Sequence, residues 1–455
     1  MKRILDKLIA ISLTFALALV AVSCTDSDEV VSDVNVTPPP DQPALRTPAQ
    51  LTDQEKDLLA SCNSFGLKLF KEVNASTPNT ENVFISPLSA SYALGMAYNG
   101  AKGETRVAIA NTLEFAGLPV DEVNQVYHDL TAILTGADPL VQMSLANSLW
   151  SRQGKAIVPE FSDVCRQFFD ARVEEIDFQA PWAADTINAW VTNATGGKID
   201  DMVQPPLSPD IAAMLFNAIY FKGSWMFPFD TADTRTVTFH LADGTETECR
   251  MMSKDEGDCQ KPGPAYPSNP LDTYTDTNIT WYSDEEVLVL GMPYGAGDYR
   301  MSIVLPNPGS VWPPPDAGID EIIAGLTYEK WTTWLGGNTP NKFDLGLPRF
   351  RFKYDVSFKD MLIALGMEIA FDAGRADFSN LFSDGVGWID EVKQKTFVQV
   401  DEKGTEAAAV TQIIFIDSAP PQMICNRPFL IVIHEDVSGA ILFIGKIANP
   451  VWEDD

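Results

Sequence analysis

The sequence is poor in the residues on which most enzyme chemistry is built. Its 455 residues hold three histidines, His128, His240 and His434, and no HExxH, GxSxG or Walker pattern. His434-Glu435-Asp436 invites a metal or acid–base reading, but it stands just before Ser438-Gly439 and reads as a solvated turn. Asp384 and Asp390, around Gly385, Gly387 and Trp388, lack the alternating oxygen ligands of a calcium loop and read as a turn. No catalytic residue, metal or cofactor is expected, and the chain is not read as an enzyme. Cations are scarce: 32 Lys and Arg face 63 Asp and Glu, a net charge of −31, which repels phosphate backbones and argues against a nucleic-acid partner. Beyond Cys24 the cysteines are Cys62, Cys165, Cys249, Cys259 and Cys425, an odd set without a CxxC that excludes a complete disulfide framework. One local Cys249–Cys259 bridge and free thiols throughout remain alternative readings.

Long apolar runs are also missing, apart from Leu8 to Val22. Preceded by Lys2, Arg3 and Lys7, that run is short for a membrane span and fits a signal-peptide core. Ala21 and Ser23 lead to Cys24 in a pattern that resembles a bacterial lipobox, with Ala21 where leucine is usual. Residues 1–23 are therefore read as a signal peptide and Cys24 as a lipid attachment site; an ordinary secretory signal cut near the same place is the alternative. Residues 24–48 are acidic and rich in proline (Pro38, Pro39, Pro40, Pro43, Pro48), cannot bury enough surface to fold, and read as a tether. The chain is expected to be exported, as an outer-membrane or cell-surface lipoprotein or a periplasmic or secreted protein, touching a membrane only through its lipid.

No linker divides residues 49–455, which read as a single domain. Thr52 with Glu55 makes a capping box ahead of Leu58, Leu59, Cys62, Phe65, Leu69 and Phe70 at helical spacing. Ser86-Pro87 opens a second helix that ends at Asn99-Gly100. Strand patterns occur at Val141–Leu149, Leu215–Phe221, Val287–Leu290, Arg300–Leu305, Phe343–Leu347, Lys395–Val400, Phe429–Ile433 and Ala440–Ile444. Helices dominate the first half and strands the second, which predicts an α+β fold. Residues 255–280, with Pro262, Pro264, Pro267 and Pro270, read as a surface insertion.

Several segments, in order, resemble the serpin family. They are Asn82-Val83-Phe84-Ile85-Ser86-Pro87-Leu88-Ser89, Asn217-Ala218-Ile219-Tyr220-Phe221-Lys222-Gly223-Ser224-Trp225, Leu347-Pro348-Arg349-Phe350, Asp401-Glu402-Lys403-Gly404-Thr405-Glu406-Ala407-Ala408-Ala409, Asn426-Arg427-Pro428-Phe429 and Phe443-Ile444-Gly445-Lys446-Ile447-Ala448-Asn449-Pro450. The resemblance implies eight to nine helices around three β-sheets, an exposed reactive-centre loop over about 402–425, and a monomer. Its partner would be a serine endopeptidase, held as a covalent acyl complex after it attacks the loop; papain-like cysteine proteases remain possible targets. The cleaved loop would then insert into the main sheet. The resemblance also implies a polar cluster beneath the opening strands, Ser86, Ser89 and Asn217, with Gln394 in place of the family's histidine, and Trp225 where insertion begins.

The hinge residues are Glu402, Gly404, Thr405, Glu406, Ala407, Ala408 and Ala409. In a strand Thr405, Ala407, Ala409 and Thr411 share one face, and small side chains can enter a packed interior without overpacking it. Non-inhibitory relatives tend to carry charged or bulky residues at Thr405 and Ala407 to Ala409, so this chain reads as inhibitory. Extended, Thr405 to Ser418 spans about 46 Å at ~3.3 Å per residue, most of the ~55 Å width of a domain this size. Counted from Glu402, the bond attacked is Ser418–Ala419; counted back from Asn426, it is Asp417–Ser418. Ile416 is a third candidate. No Lys or Arg lies between Lys403 and Arg427, which points away from trypsin-like targets and toward elastase-like or broad-specificity ones, with acid-specific enzymes as the alternative. A non-inhibitory binding protein of the same fold is the rival function.

Overall fold

A computed structural model describes residues 51–115, 117–254, 279–307, 318–337, 339–340, 344–404 and 422–453. These lie within one unit, Leu45–Asp455. The signal and tether segments, Cys24, Cys259, residues 255–278 and residues 405–421 fall outside them.

In chain order the elements are α1 (Asp53–Ser76), β1 (Val83–Ile85), α2 (Pro87–Gly100), α3 (Gly103–Thr112), α4 (Val120–Thr135), β2 (Val141–Arg152), α5 (Pro159–Phe169), β3 (Arg172–Ile176) and α6 (Ala183–Ala194). There follow β4 (Ala213–Gly223), β5 (Arg235–His240), β6 (Glu246–Lys254), β7 (Thr280–Ser283), β8 (Val287–Tyr294), β9 (Tyr299–Pro306), α7 (Ile319–Ala324) and α8 (Tyr328–Gly336). The chain closes with β10 (Thr339–Pro340), β11 (Asp344–Pro348), β12 (Phe350–Ser357), α9 (Lys359–Leu362), α10 (Glu368–Phe371), β13 (Lys393–Val400), β14 (Gln422–Ile424), β15 (Phe429–Glu435) and β16 (Ile441–Ile447).

Local signals explain the helix starts. The Thr52 hydroxyl accepts from Glu55 N and the Glu55 carboxylate accepts from Thr52 N, closing the expected capping box. Ser86 caps α2, with Pro87 in the first turn. That helix is buried on nearly every side, as its mostly apolar and uncharged sequence requires of a helix at the centre of a domain.

Among the described residues, seven strands pair in the order β1-β16-β15-β9-β8-β7-β10, and four in the order β14-β11-β6-β5. Strands of the first sheet, β8, β9, β15 and β16, are buried almost throughout. The remaining five strands form two small sheets, β3-β2-β4 and β12-β13. Those two flank one cleft, so the third sheet implied by the resemblance is there, parted between β4 and β13.

The reading of His434-Glu435-Asp436 as a solvated turn is corrected. His434 and Glu435 are each 1% exposed, because β15 runs on through them in the central sheet, opposite Arg300 and Tyr299. His434 Nε2 lies 2.9 Å from Ser302 Oγ, and Asp436 is held by the Arg300 guanidinium at 2.7 Å. The described cysteines, Cys62, Cys165, Cys249 and Cys425, are buried free thiols.

Candidate functional site: a cleft between two strands and the turn at its mouth

β4 pairs with β2 on one edge, and β13 with β12 on one edge. Their other edges face each other across a cleft of about 1060 Å³ lined by residues of both strands from end to end. Between residues 213–221 and 393–400 no strand pairing forms among the described residues.

Two sets of contacts show how the facing strands run. At one end, just past Gly223, Trp225 N donates to Lys403 O at 3.0 Å, Trp225 Nε1 to Asp401 O at 3.0 Å, and Phe229 N to Glu402 O at 2.8 Å. Farther back, α2 bridges both strands from below. Ser86 N donates to Gln394 Oε1 at 2.8 Å and Gln394 Nε2 returns a bond to Ser86 O at 2.9 Å. Ser89 N donates to Ser86 Oγ at 3.2 Å, and Ser89 Oγ to the Asn217 carbonyl at 3.2 Å. Asn217 stands six residues before Gly223, and Gln394 six before Val400. The strands therefore run parallel and in register across the cleft.

The structure thus brings Ser86, Ser89, Asn217 and Gln394 into one network. Asn217 Nδ2 extends it to Asn147 Oδ1 at 2.8 Å. Asn217 Oδ1 is buried without a hydrogen-bond partner among the described residues. Trp225, 2% exposed, stacks on Tyr294 at 4.4 Å while its indole N–H holds Asp401.

After β13 the chain turns back on itself. Gly404 N donates to Asp401 O at 3.2 Å, and the two residues form an antiparallel bridge. Gly404 has φ +92, and a Cβ there would lie 2.4 Å from Trp225 N and 2.7 Å from Gly223 O. Glycine is required twice over, by the left-handed backbone and by contact with the end of β4. Glu402 is 5% exposed; its carboxylate accepts from Thr234 Oγ1 at 2.7 Å and lies 3.5 Å from Arg349 Nε, whose guanidinium sits over the Trp452 ring at 4.3 Å. Thr405, Glu406, Ala407, Ala408 and Ala409, and the candidate bonds at Ile416, Asp417, Ser418 and Ala419, lie outside the described residues.

Sequence reasoning left two contacts unassigned. Arg349 stood in a motif without a role, yet it is the counter-ion of Glu402. The segment joining α6 to β4 also reaches across to the other flank: Asp201 meets Lys395 at 2.8 Å, Asp200 meets Lys353 at 3.3 Å, and Lys198 lies over the Phe397 ring at 5.0 Å. The hydrogen bond from Lys395 holds the Asp201 carboxyl below the usual range. Alternating Lys on β13 was the one visible sign of this second contact.

The comparisons agree with this architecture. The pattern of the serpin (serine protease inhibitor) family matches residues 60–450. Serpin B6 of Macaca fascicularis is 32% identical over 405 residues, covering 87% of this chain and 100% of that protein. An uncharacterised serpin-like protein of Thermococcus kodakarensis is 31% identical, covering 87% of each. Among solved structures, native tengpin, a thermophilic serpin, superposes with a TM-score of 0.74 at 25% identity, over 89% of this chain and 96% of that one. Human thyroxine-binding globulin, solved in complex with thyroxine, superposes with a TM-score of 0.72 at 25% identity, over 88% of this chain and 100% of that one. With a family match over most of its length and relatives above 30% identity, this chain belongs to the serpin family.

Proposed function

We propose that the chain is an inhibitory serpin that traps an endopeptidase by filling the cleft between β4 and β13 with its own cleaved loop. The observation that carries this is the turn from Asp401 to Gly404, an antiparallel bridge at the mouth of the cleft between parallel strands. Continuing the bridge from Asp401 and Gly404 one for one pairs Thr405 with Val400, Ala407 with Val398, Ala409 with Thr396 and Thr411 with Gln394. Directly opposed residues share a face, and those four partners on β13 face the core. The small side chains thereby turn inward, and Glu406, opposite half-buried Gln399, turns outward. A charged side chain on the inward face would have to be desolvated on entry.

Chemically, the partner's nucleophile attacks the carbonyl of the bait residue. The peptide bond breaks, the new amine leaves with the C-terminal fragment after taking a proton, and the ester stays. Pairing of the freed strand then outruns hydrolysis of that ester. With Ile416, Asp417 or Ser418 as bait, elastase-like or subtilisin-like serine enzymes are the favoured targets and acid-specific ones the second choice.

The test mixes the protein with pancreatic elastase, subtilisin and an acid-specific endopeptidase. An SDS-stable complex is expected, with a released peptide starting at Asp417, Ser418 or Ala419. Thr405→Arg should be cleaved without forming it. Cleavage of the unaltered protein with no complex in any arm would sink the proposal. It would favour the second reading, a binding protein such as thyroxine-binding globulin, which shares the fold. Export as a lipoprotein is part of the proposal: palmitate incorporation in a bacterial host should vanish in Cys24→Ala.

A further inference from the structure

The far mouth of the cleft, opposite Gly404, carries an apolar surface that the trapping step does not itself require. The described residues include eight exposed large hydrophobic side chains, and only Val386 and Trp388, 59% and 44% exposed, share one loop. That loop precedes β13 and is fixed in place. Lys155 Nζ donates to Asp384 Oδ2 and to Val386 O, each at 2.8 Å, and Val386 N donates to Asp384 Oδ1 at 3.1 Å. Gly387 packs on the Phe382 ring, and Ile389 N donates to Ala370 O at 2.9 Å. Exposure of Trp388 is therefore built in, since its neighbours on both sides are bonded to the domain. Ile211 lines the other lip of the same mouth.

We infer that Val386 and Trp388 form a docking surface for the trapped endopeptidase. The inference rests on the inhibitory reading above and adds a contact to it. The length of chain between Gly404 and the bait selects the occupant. In the register that starts at Asp401 and Gly404, residue 412 reaches the start of β13 at Lys393, so residues 416 to 419 lie four to seven positions past that end of the strand, where the loop of Val386 and Trp388 enters it. Any of the candidate bait residues would thus leave the acylated enzyme at this lip. An apolar pair on a rigid loop is the kind of anchor around which protein interfaces concentrate their affinity. Contact there would hold the enzyme in place while its ester is intact and slow its return to activity.

The test uses the full chain with elastase and subtilisin, comparing it with Val386→Ser/Trp388→Ser, with Trp388→Phe, and with Val437→Ser as a remote exposed control. Three quantities are read: the rate of complex formation, the inhibitor consumed per enzyme inactivated, and the rate at which active enzyme returns from purified complex. The double variant should melt as the parent does and form complex at the parent's rate, but release active enzyme about tenfold faster, whereas Trp388→Phe and Val437→Ser should match the parent. Equal release from the double variant and the parent would overturn the docking surface and leave the inhibitory reading standing. Absence of any complex with the parent would overturn both. As a second measurement, Val386→Cys in a Cys24→Ser/Cys259→Ser background carries a polarity-sensitive dye. Its emission should shift to the blue in the complex and stay put when the loop is merely cut; no shift in the complex would count against the contact.

Discussion

Asn217 and His434 make opposite uses of burial. Asn217 Oδ1 is an acceptor without a partner among the described residues, beneath the open cleft; a buried acceptor left so costs about 1–3 kcal/mol. In the register proposed here Thr411 arrives above Asn217 and Gln394 and brings a hydroxyl. Thr411→Val should leave the intact protein unchanged and lower the stability of the cleaved form by about 1–2 kcal/mol, as read from denaturant midpoints of both forms. His434 is kept neutral: burial lowers its pKa from 6.5 to about 4, despite the nearby Asp436 carboxylate, with the Arg300 guanidinium adding to the fall. A folded pKa below the unfolded one means that the unfolded chain takes up the proton first as pH drops. The stability His434 contributes is complete above pH 6.5 and is lost as pH falls toward about 4. His434→Gln can keep the bond to Ser302 without titrating. Between pH 7 and pH 4 the parent should lose about 3 kcal/mol more than this variant. Equal losses would mean that the ring is protonated in the fold.

Elements show what could be read in the sequence and what could not. Where one strong local rule operates, the reading holds: the capping box of α1, the Ser86-Pro87 start and Gly100 end of α2, and the strands with clear patterns. Of the hinge, Gly404 appears as the turn its sequence position suggests, while Thr405 to Ala409 lie outside the described residues. Short strands such as β3, β5 and β7 were missed because half-exposed polar runs carry little periodicity. His434-Glu435-Asp436 was misread because three polar residues resemble a turn, and only the neighbouring β9, which supplies Arg300 and Ser302, makes them part of a core strand. The cleft itself depends on two strands distant in sequence lying parallel and unpaired, which no local pattern encodes. The clasp of Asp200 and Asp201 on Lys353 and Lys395, which joins the two flanks, shows in the sequence only as the alternating Lys393 and Lys395 of β13. Filling the cleft must shift that clasp. Lys395→Met should therefore speed complex formation, by up to about fivefold at low salt, with the difference fading at 1 M salt. A slower rate would show that the clasp guides the strand instead of holding the flanks.

For the whole molecule, the intact fold is one in which a sheet is left unfinished. Among the described residues β4 and β13 each hold a partner on one side only, Asn217 Oδ1 beneath them lacks a donor, and the turn from Asp401 to Gly404 stands at the mouth of the gap. Inhibition, on this account, is the completion of that sheet with an enzyme attached. The contact at Val386 and Trp388 would add to the result without driving it. The energy available should show in the protein alone. The most direct measurement is the melting temperature before and after a single cut in residues 411–419 by an enzyme that is not retained. If the freed strand completes the sheet, the cut protein should melt well over about 10 °C higher than the intact one. A melting temperature unchanged or lowered by the cut would contradict the insertion mechanism at its root.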